Sequence, residues 1–244
     1  MRSGSVLTNQ WLYSLEPPAI GVISLALALW LKLTILLWVI PLFIFAVLPI
    51  MDYLSRDDRH DPDKLALRLK PHRGFFQWIA RAYMPIQYLM NALAVSCFIE
   101  YPHTVFNVVG LILSVGIVNG IAMATAHELN HASSLFLNRL FSVLISAPTF
   151  YGQFLVEHNI GHHVKVATPE DPASARLGES FWTFGVRSIM MGFISAVKYE
   201  TKRVCSNIRN ILNSKLLQGW LCSAFLVWFT YLAGGRSAVV FYAA

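Results

Sequence analysis

Five of the eight histidines fall within 37 residues, in two groups. The first group is His127-Glu128-Leu129-Asn130-His131. On a helix, side chains four apart lie on one face, so His127 and His131 can reach a single metal ion. The second is Glu157-His158-Asn159-Ile160-Gly161-His162-His163. With ordinary helical spacing His158 and His162 share a face, and His163 sits about 100° round the axis. There it could serve a neighbouring metal or the other side of the same one. Gly161 leaves room for close approach. Neutral imidazole is a favoured ligand for iron, zinc, copper and nickel. A solitary histidine is more often a hydrogen-bonded structural residue, and His60, His72 and His103, each isolated in or beside a polar loop, are read that way.

The first group also fits HExxH, the zinc metallopeptidase pattern in which Glu128 would act as general base. That reading leaves the second group unexplained, because a catalytic zinc keeps only three protein ligands. Five histidines point instead to two metals.

Elements of an unusual kind must position these groups. Of the 244 residues, 56% are hydrophobic and only 13% are charged, and the mean hydropathy is +0.53. Soluble domains carry about 25% charged residues, so an ordinary soluble protein is excluded. Runs of roughly 20 apolar residues, enough to cross a bilayer, recur along the chain. Spans are expected at about 19–31, 33–51, 83–99, 104–126 and 216–233, the first two forming a hairpin that turns near Lys32. The spacing predicts a re-entrant or interfacial segment over Leu135–Val156, which is broken by Arg139 and Pro148. A helix lying on the membrane is expected over Phe181–Val197. Gly234-Gly235-Arg236 reads as a turn, and Ser237–Ala244 as the opening of a further span.

The formal charge of +6 is not a nucleic-acid signal. Lys and Arg collect beside apolar segments, seven of them between Asp52 and Arg81 and eight between Glu157 and Lys215, as expected of cytoplasmic membrane loops. By parity His127 begins where the fourth span returns to that side. The three cysteines, Cys97, Cys205 and Cys222, are scattered, with no CxxC pair for a disulfide framework, zinc or an iron–sulfur centre. No cleaved signal peptide is expected. No GxGxxG turn for a flavin or nicotinamide is present.

The stretch after the second group, EHNIGHHVKVATPEDPASARLGE from Glu157 to Glu179, strongly resembles the integral-membrane alkane monooxygenases. HELNH is similar to that family's first histidine box, and NGIAMATA before it fits as well. The resemblance covers roughly Ala19–Ala244 and is densest over Asn119–Glu179. Xylene-type methyl hydroxylases and, more remotely, membrane fatty-acid desaturases share the plan. The resemblance implies an all-α, polytopic, fatty-acid-desaturase-like membrane bundle with a histidine-box metal site on the cytoplasmic side of a bacterial inner membrane. It implies a single hydroxylase domain over 1–244 that hydroxylates alkanes terminally with O₂ at a non-haem di-iron site. An unactivated C–H bond offers nothing to acid–base or nucleophilic attack, which fits a requirement for iron. By the same resemblance His127, His131, His158, His162 and His163 are iron ligands, with Glu128 and Glu157 orienting the imidazoles. Asp171, Ser174 and Arg176 also match, without an assigned role. Electrons are expected from a rubredoxin-type donor and its reductase, drawn to the basic stretch near Lys202 and Arg203. The hydrophobic alkane is expected to enter from membrane lipid.

The family's chain continues further, with another histidine and a third box of the HxxHH kind, and neither occurs here. The chain is therefore expected to be C-terminally truncated, a fragment lacking the last ligands. A xylene-type hydroxylase and a membrane zinc peptidase acting through HELNH remain as alternatives.

Overall fold

The computed structural model describes residues 12–55 and 73–244, so His60, His72 and much of the polar stretch after the second apolar run lie outside the described residues. Helix α1 (Glu16–Leu31) opens with Pro17 and Pro18 in its first turn, where their missing N–H groups leave no bond unmade. It stops at Lys32, whose φ of 56° is left-handed and turns the chain back on itself. The second apolar run then forms α2 (Thr34–Leu54), which begins as a 3-10 turn and widens to a π-turn at Phe43–Val47. Helix α3 (Arg73–Glu100) starts within the polar stretch, earlier than its apolar part alone suggests, and α4 is Val105–His131.

The hairpin at Lys32 is tied by its ammonium group, which donates to Glu100 Oε1 at 2.6 Å. Trp38 donates through Nε1 to the Phe106 carbonyl at 3.2 Å. Its indole occupies the space beside Gly110, where a Cβ would come within 2.7 Å of Nε1. Helix contacts of this kind depend on close approach, since lipid tails are as apolar as the side chains and give helices little reason to associate.

Helix α5 (Phe136–Ser146) has 11 residues, about 16 Å, and cannot cross the roughly 30 Å of a bilayer core. A 3-10 turn at Ala147–Thr149 and a left-handed Phe150 (φ 55°) end it, as the Pro148 signal implies. Segment α6 (residues 154–165) joins short α-turns at Phe154–Val156 and His163–Lys165 through a π-turn at Glu157–His162. Helix α7 (Phe181–Ser206) is capped by Ser180, whose side chain accepts from the Thr183 N–H. Helix α8 (Lys215–Ala243) is broken at Gly235 (φ 67°, ψ −158°), within the expected glycine turn.

No strand occurs among the described residues. Among the described residues, five helices are long and apolar enough to cross a membrane: 13–31, 34–54, 74–100, 105–131 and 215–243. Large apolar side chains on them, Trp30, Phe45, Val105 and Trp228 among them, stay exposed, as a lipid-facing surface requires. The all-α membrane bundle is the observed fold. Its residues gather into two compact units, one of 1–125 with 227–244, the other of 126–226. All five clustered histidines belong to the second.

Candidate metal centre

At 27 residues α4 is about 40 Å long, so a bilayer core of roughly 30 Å leaves about two turns over. His127 and His131 occupy the last of these turns. Their Nε2 atoms lie 2.9 Å apart, as the i, i+4 spacing predicts.

The second group departs from α-helical expectation. Its backbone is a π-turn from Glu157 to His162, in which bonds close i to i+5 rather than i to i+4. The partner of His158 on its own face is therefore His163, with Nε2 atoms 3.0 Å apart, and not His162. His158 Nε2 is also 3.3 Å from His131 Nε2. One ligand atom from each of His127, His131, His158 and His163 falls within 4.8 Å of all the others.

Hydrogen bonding alone cannot satisfy this arrangement. A neutral imidazole carries one N–H and one lone pair. His158 Nε2 faces two other Nε2 atoms, and a single proton cannot point at both. Doubly protonated rings at these distances would repel one another. Burial, together with His127, His163 and His131 nearby, lowers the His158 pKa to about 4, so its ring stays uncharged. A divalent cation at the shared point would meet all four lone pairs. The donor set, neutral imidazoles converging from two segments, thus fits a transition metal.

His162 faces elsewhere. Its Nδ1 is 2.8 Å from Asp171 Oδ2, a carboxyl oxygen that also accepts from Ser174 Oγ at 2.5 Å, while Asp171 Oδ1 accepts from the Ala173 N–H at 2.9 Å. Burial pushes the Asp171 carboxyl up, but the bonds from Ser174, Ala173 and His162 outweigh it and hold it below the usual range. An ionised Asp171 places the His162 proton on Nδ1 and leaves Nε2 with its lone pair, the carboxylate–histidine arrangement seen around bound metals. In the sequence the pairing was marked only by an Asp followed by Pro-Ala-Ser, a turn signal nine residues past the histidine.

The loop carrying Asp171 is braced from α7. Arg187 makes two bonds of 2.7 Å to the Glu179 carboxylate and donates to the Pro172 and Ser174 carbonyls. The Arg187 contact and the Arg176 N–H lower the Glu179 pKa to about 2. Arg187 is thus the clamp of this loop. Arg176 contributes its backbone and Ser174 its hydroxyl.

Of the two glutamates, Glu128 is exposed and Glu157 is buried. The Glu157 carboxyl fills the space a Gly161 side chain would take, where a Cβ would lie 2.1 Å from Oε1. Neither oxygen accepts a hydrogen bond of ordinary geometry. Burial raises its pKa, and the Ser195 hydroxyl offsets only part of that. A small cavity adjoins it, lined by Tyr151, Phe154, Glu157, His158 and His162 among others.

A membrane bundle with histidines clustered at a helix end defines a class, the histidine-motif membrane proteins. The fatty acid desaturase family model matches residues 102–244, more than half of the chain, and the chain belongs to that family. It is 33% identical over 225 residues to alkane 1-monooxygenase 1 of Alcanivorax borkumensis, covering 88% of this chain and 54% of that protein. It is 32% identical over 186 residues to the alkane 1-monooxygenase of Acinetobacter baylyi (75% and 45%), and 30% identical over 241 residues to that of Pseudomonas putida (95% and 58%). The chain spans about half the length of the curated relatives it matches.

Proposed function

We propose that this chain carries iron-binding histidines of an O₂-dependent alkane 1-monooxygenase. The observation that supports this most is the convergence of His127, His131, His158 and His163, a set of ring nitrogens within 4.8 Å of one another. His162, with Nδ1 committed to Asp171, would offer Nε2 to a second iron. When bound, iron supplies the O₂ activation that oxidising an unactivated C–H bond requires. The chain's own part is to aim its imidazoles, through Asp171 for His162, and to keep the His158 ring uncharged through burial. Four convergent histidines do not suit the peptidase reading, which needs an open position beside three ligands.

The substrate class follows the curated relatives' names, with a linear alkane preferred over an alkyl aromatic. Such a molecule partitions into the bilayer by roughly 0.8 kcal/mol per methylene. It would therefore approach through lipid. The basic loops support a site on the cytoplasmic side of a bacterial inner membrane. Electrons would come from a rubredoxin-type carrier and its reductase. Lys198 and Lys202 are exposed and could meet an acidic carrier, whereas Arg203 is engaged with Glu200 at 2.9 Å. Reversing the charge of Lys198 and Lys202 should slow electron delivery, and an unchanged rate at low salt would remove that docking surface.

The deciding experiment is elemental analysis of the purified chain in detergent, beside a His158→Ala/His163→Ala variant. Iron present in the parent and lost in the variant supports the reading. Zinc at one per chain, unaffected by the changes, would overturn it.

A further inference from the structure

Two chain segments far apart in sequence must meet for the four nitrogens to converge, and one residue joins them directly. Asn130, fully buried, lies between His127 and His131 in sequence. Its Nδ2 donates to the Leu155 carbonyl at 3.0 Å, just before the π-turn begins, and its own carbonyl accepts from Asn159 Nδ2 at 3.4 Å. The end of α4 is thereby stitched to both flanks of His158. Asn130 Oδ1 in turn accepts from Lys215 Nζ at 2.6 Å, and the same ammonium donates to Ser133 Oγ at 3.0 Å.

Lys215 stands in a place that does not favour a cation for its own sake. It is the first residue of α8, at the positive end of that helix, with Arg139 and Arg203 within electrostatic range and the Glu200 carboxylate offsetting only part of their effect. Among the described residues no carboxylate forms an ion pair with it. What it gains is the carboxamide of Asn130 and the carbonyl end of α4, both of which attract positive charge. A charge-assisted bond also fixes which way the amide faces, Oδ1 to Lys215 and Nδ2 to Leu155.

We propose that Lys215 and Asn130 are a positioning pair that sets the separation of the two histidine segments, so that the start of α8 governs metal affinity. The proposal rests on the metal reading above. Loosening the pair frees His131 and His158 to drift apart without removing a ligand.

Cobalt(II) serves as the probe, titrated into the full chain in detergent and followed by its visible absorption, with helicity and monodispersity recorded alongside. Lys215→Met should weaken cobalt binding by roughly 10–100-fold, the range for a residue that orients ligands, and change the band shape. Lys215→Arg should restore most of the affinity. Should Lys215→Met not fold, Asn130→Asp keeps a partner for Lys215 but turns the amide donor into an acceptor facing the Leu155 carbonyl, and should weaken binding likewise. Arg139→Met is the control: it removes a similar tie, to the Asn213 carbonyl at 2.5 Å, that touches no histidine segment. Unchanged affinity and spectrum in folded Lys215→Met or Asn130→Asp overturns the pair, as does an equal change in Arg139→Met. A parent chain that binds no cobalt overturns the metal reading itself, and the pair with it.

Discussion

Helix α4 carries two polar clusters a few turns apart, one buried and one partly exposed, and they solve the same problem in opposite ways. In the first unit Gln87 and Asn91 of α3 meet Asn119 of α4. Gln87 Nε2 donates to Asn119 Oδ1 at 3.0 Å, and Asn91 and Asn119 exchange bonds of 3.1 Å in both directions. The Asn91 and Asn119 carboxamides each donate to and accept from the other, so this pair satisfies itself and pins two helices in register. In the second unit four imidazoles present like atoms to one another at 2.9–3.3 Å. That cluster needs something from outside. Self-sufficiency marks the first as architecture, and the unmet lone pairs mark the second as a site.

The contrast can be broken most severely at His158, whose nitrogen faces two others. His158→Ala should lose metal by more than the roughly 10–100-fold that removing an orienting partner produces, while helicity is kept. Metal content measured after dialysis checks it, and full retention would mean the cluster is not the site. Next in size, Asp171→Asn should weaken metal binding by about 10–100-fold by releasing the His162 ring, and Asp171→Glu should recover part of it. On the architectural side, Asn119→Leu should lower stability in detergent by roughly 1 kcal/mol and leave metal content unaltered. A loss of metal there would erase the distinction between the clusters.

The smallest effect concerns the loop behind His162. The folded Glu179 carboxyl is lowered to about 2, below its ordinary value of 4.5. Its bond to Arg187 therefore contributes fully above about pH 4.5 and is lost as pH falls towards about 2. Limited proteolysis of residues 166–180 should accelerate over that window in the parent chain. Glu179→Gln should be cut faster already at neutral pH and show little further change on acidification. Equal pH profiles would show that Arg187 does not brace the loop through this carboxylate.

Much of this was legible in the residues. Charge-free runs of about 20 residues foretell spanning helices because an unpaired backbone or a charge in hydrocarbon is expensive. Lys32 and Gly234-Gly235 foretell the two places where the chain turns or breaks, since a cation seeks the interface and glycine tolerates φ of 67°. HELNH placed two imidazoles on one face correctly, because α4 is regular through its end.

Tertiary structure decided the rest. Histidine spacing says which residues can bind a metal, but the face each occupies depends on the turn, and only the fold reveals the π-turn that pairs His158 with His163 and sends His162 to Asp171. Arg187 and Lys215 looked like ordinary membrane-flanking charges, because nothing local shows that one clamps Glu179 and the other reaches Asn130 across 85 positions. Composition and short spacings, set by local geometry and by the bilayer, settled that this is a helical membrane protein with two histidine motifs. Which of those histidines converge, and what holds them there, rests on contacts between segments distant in the chain, where packing rather than periodicity chooses the partner.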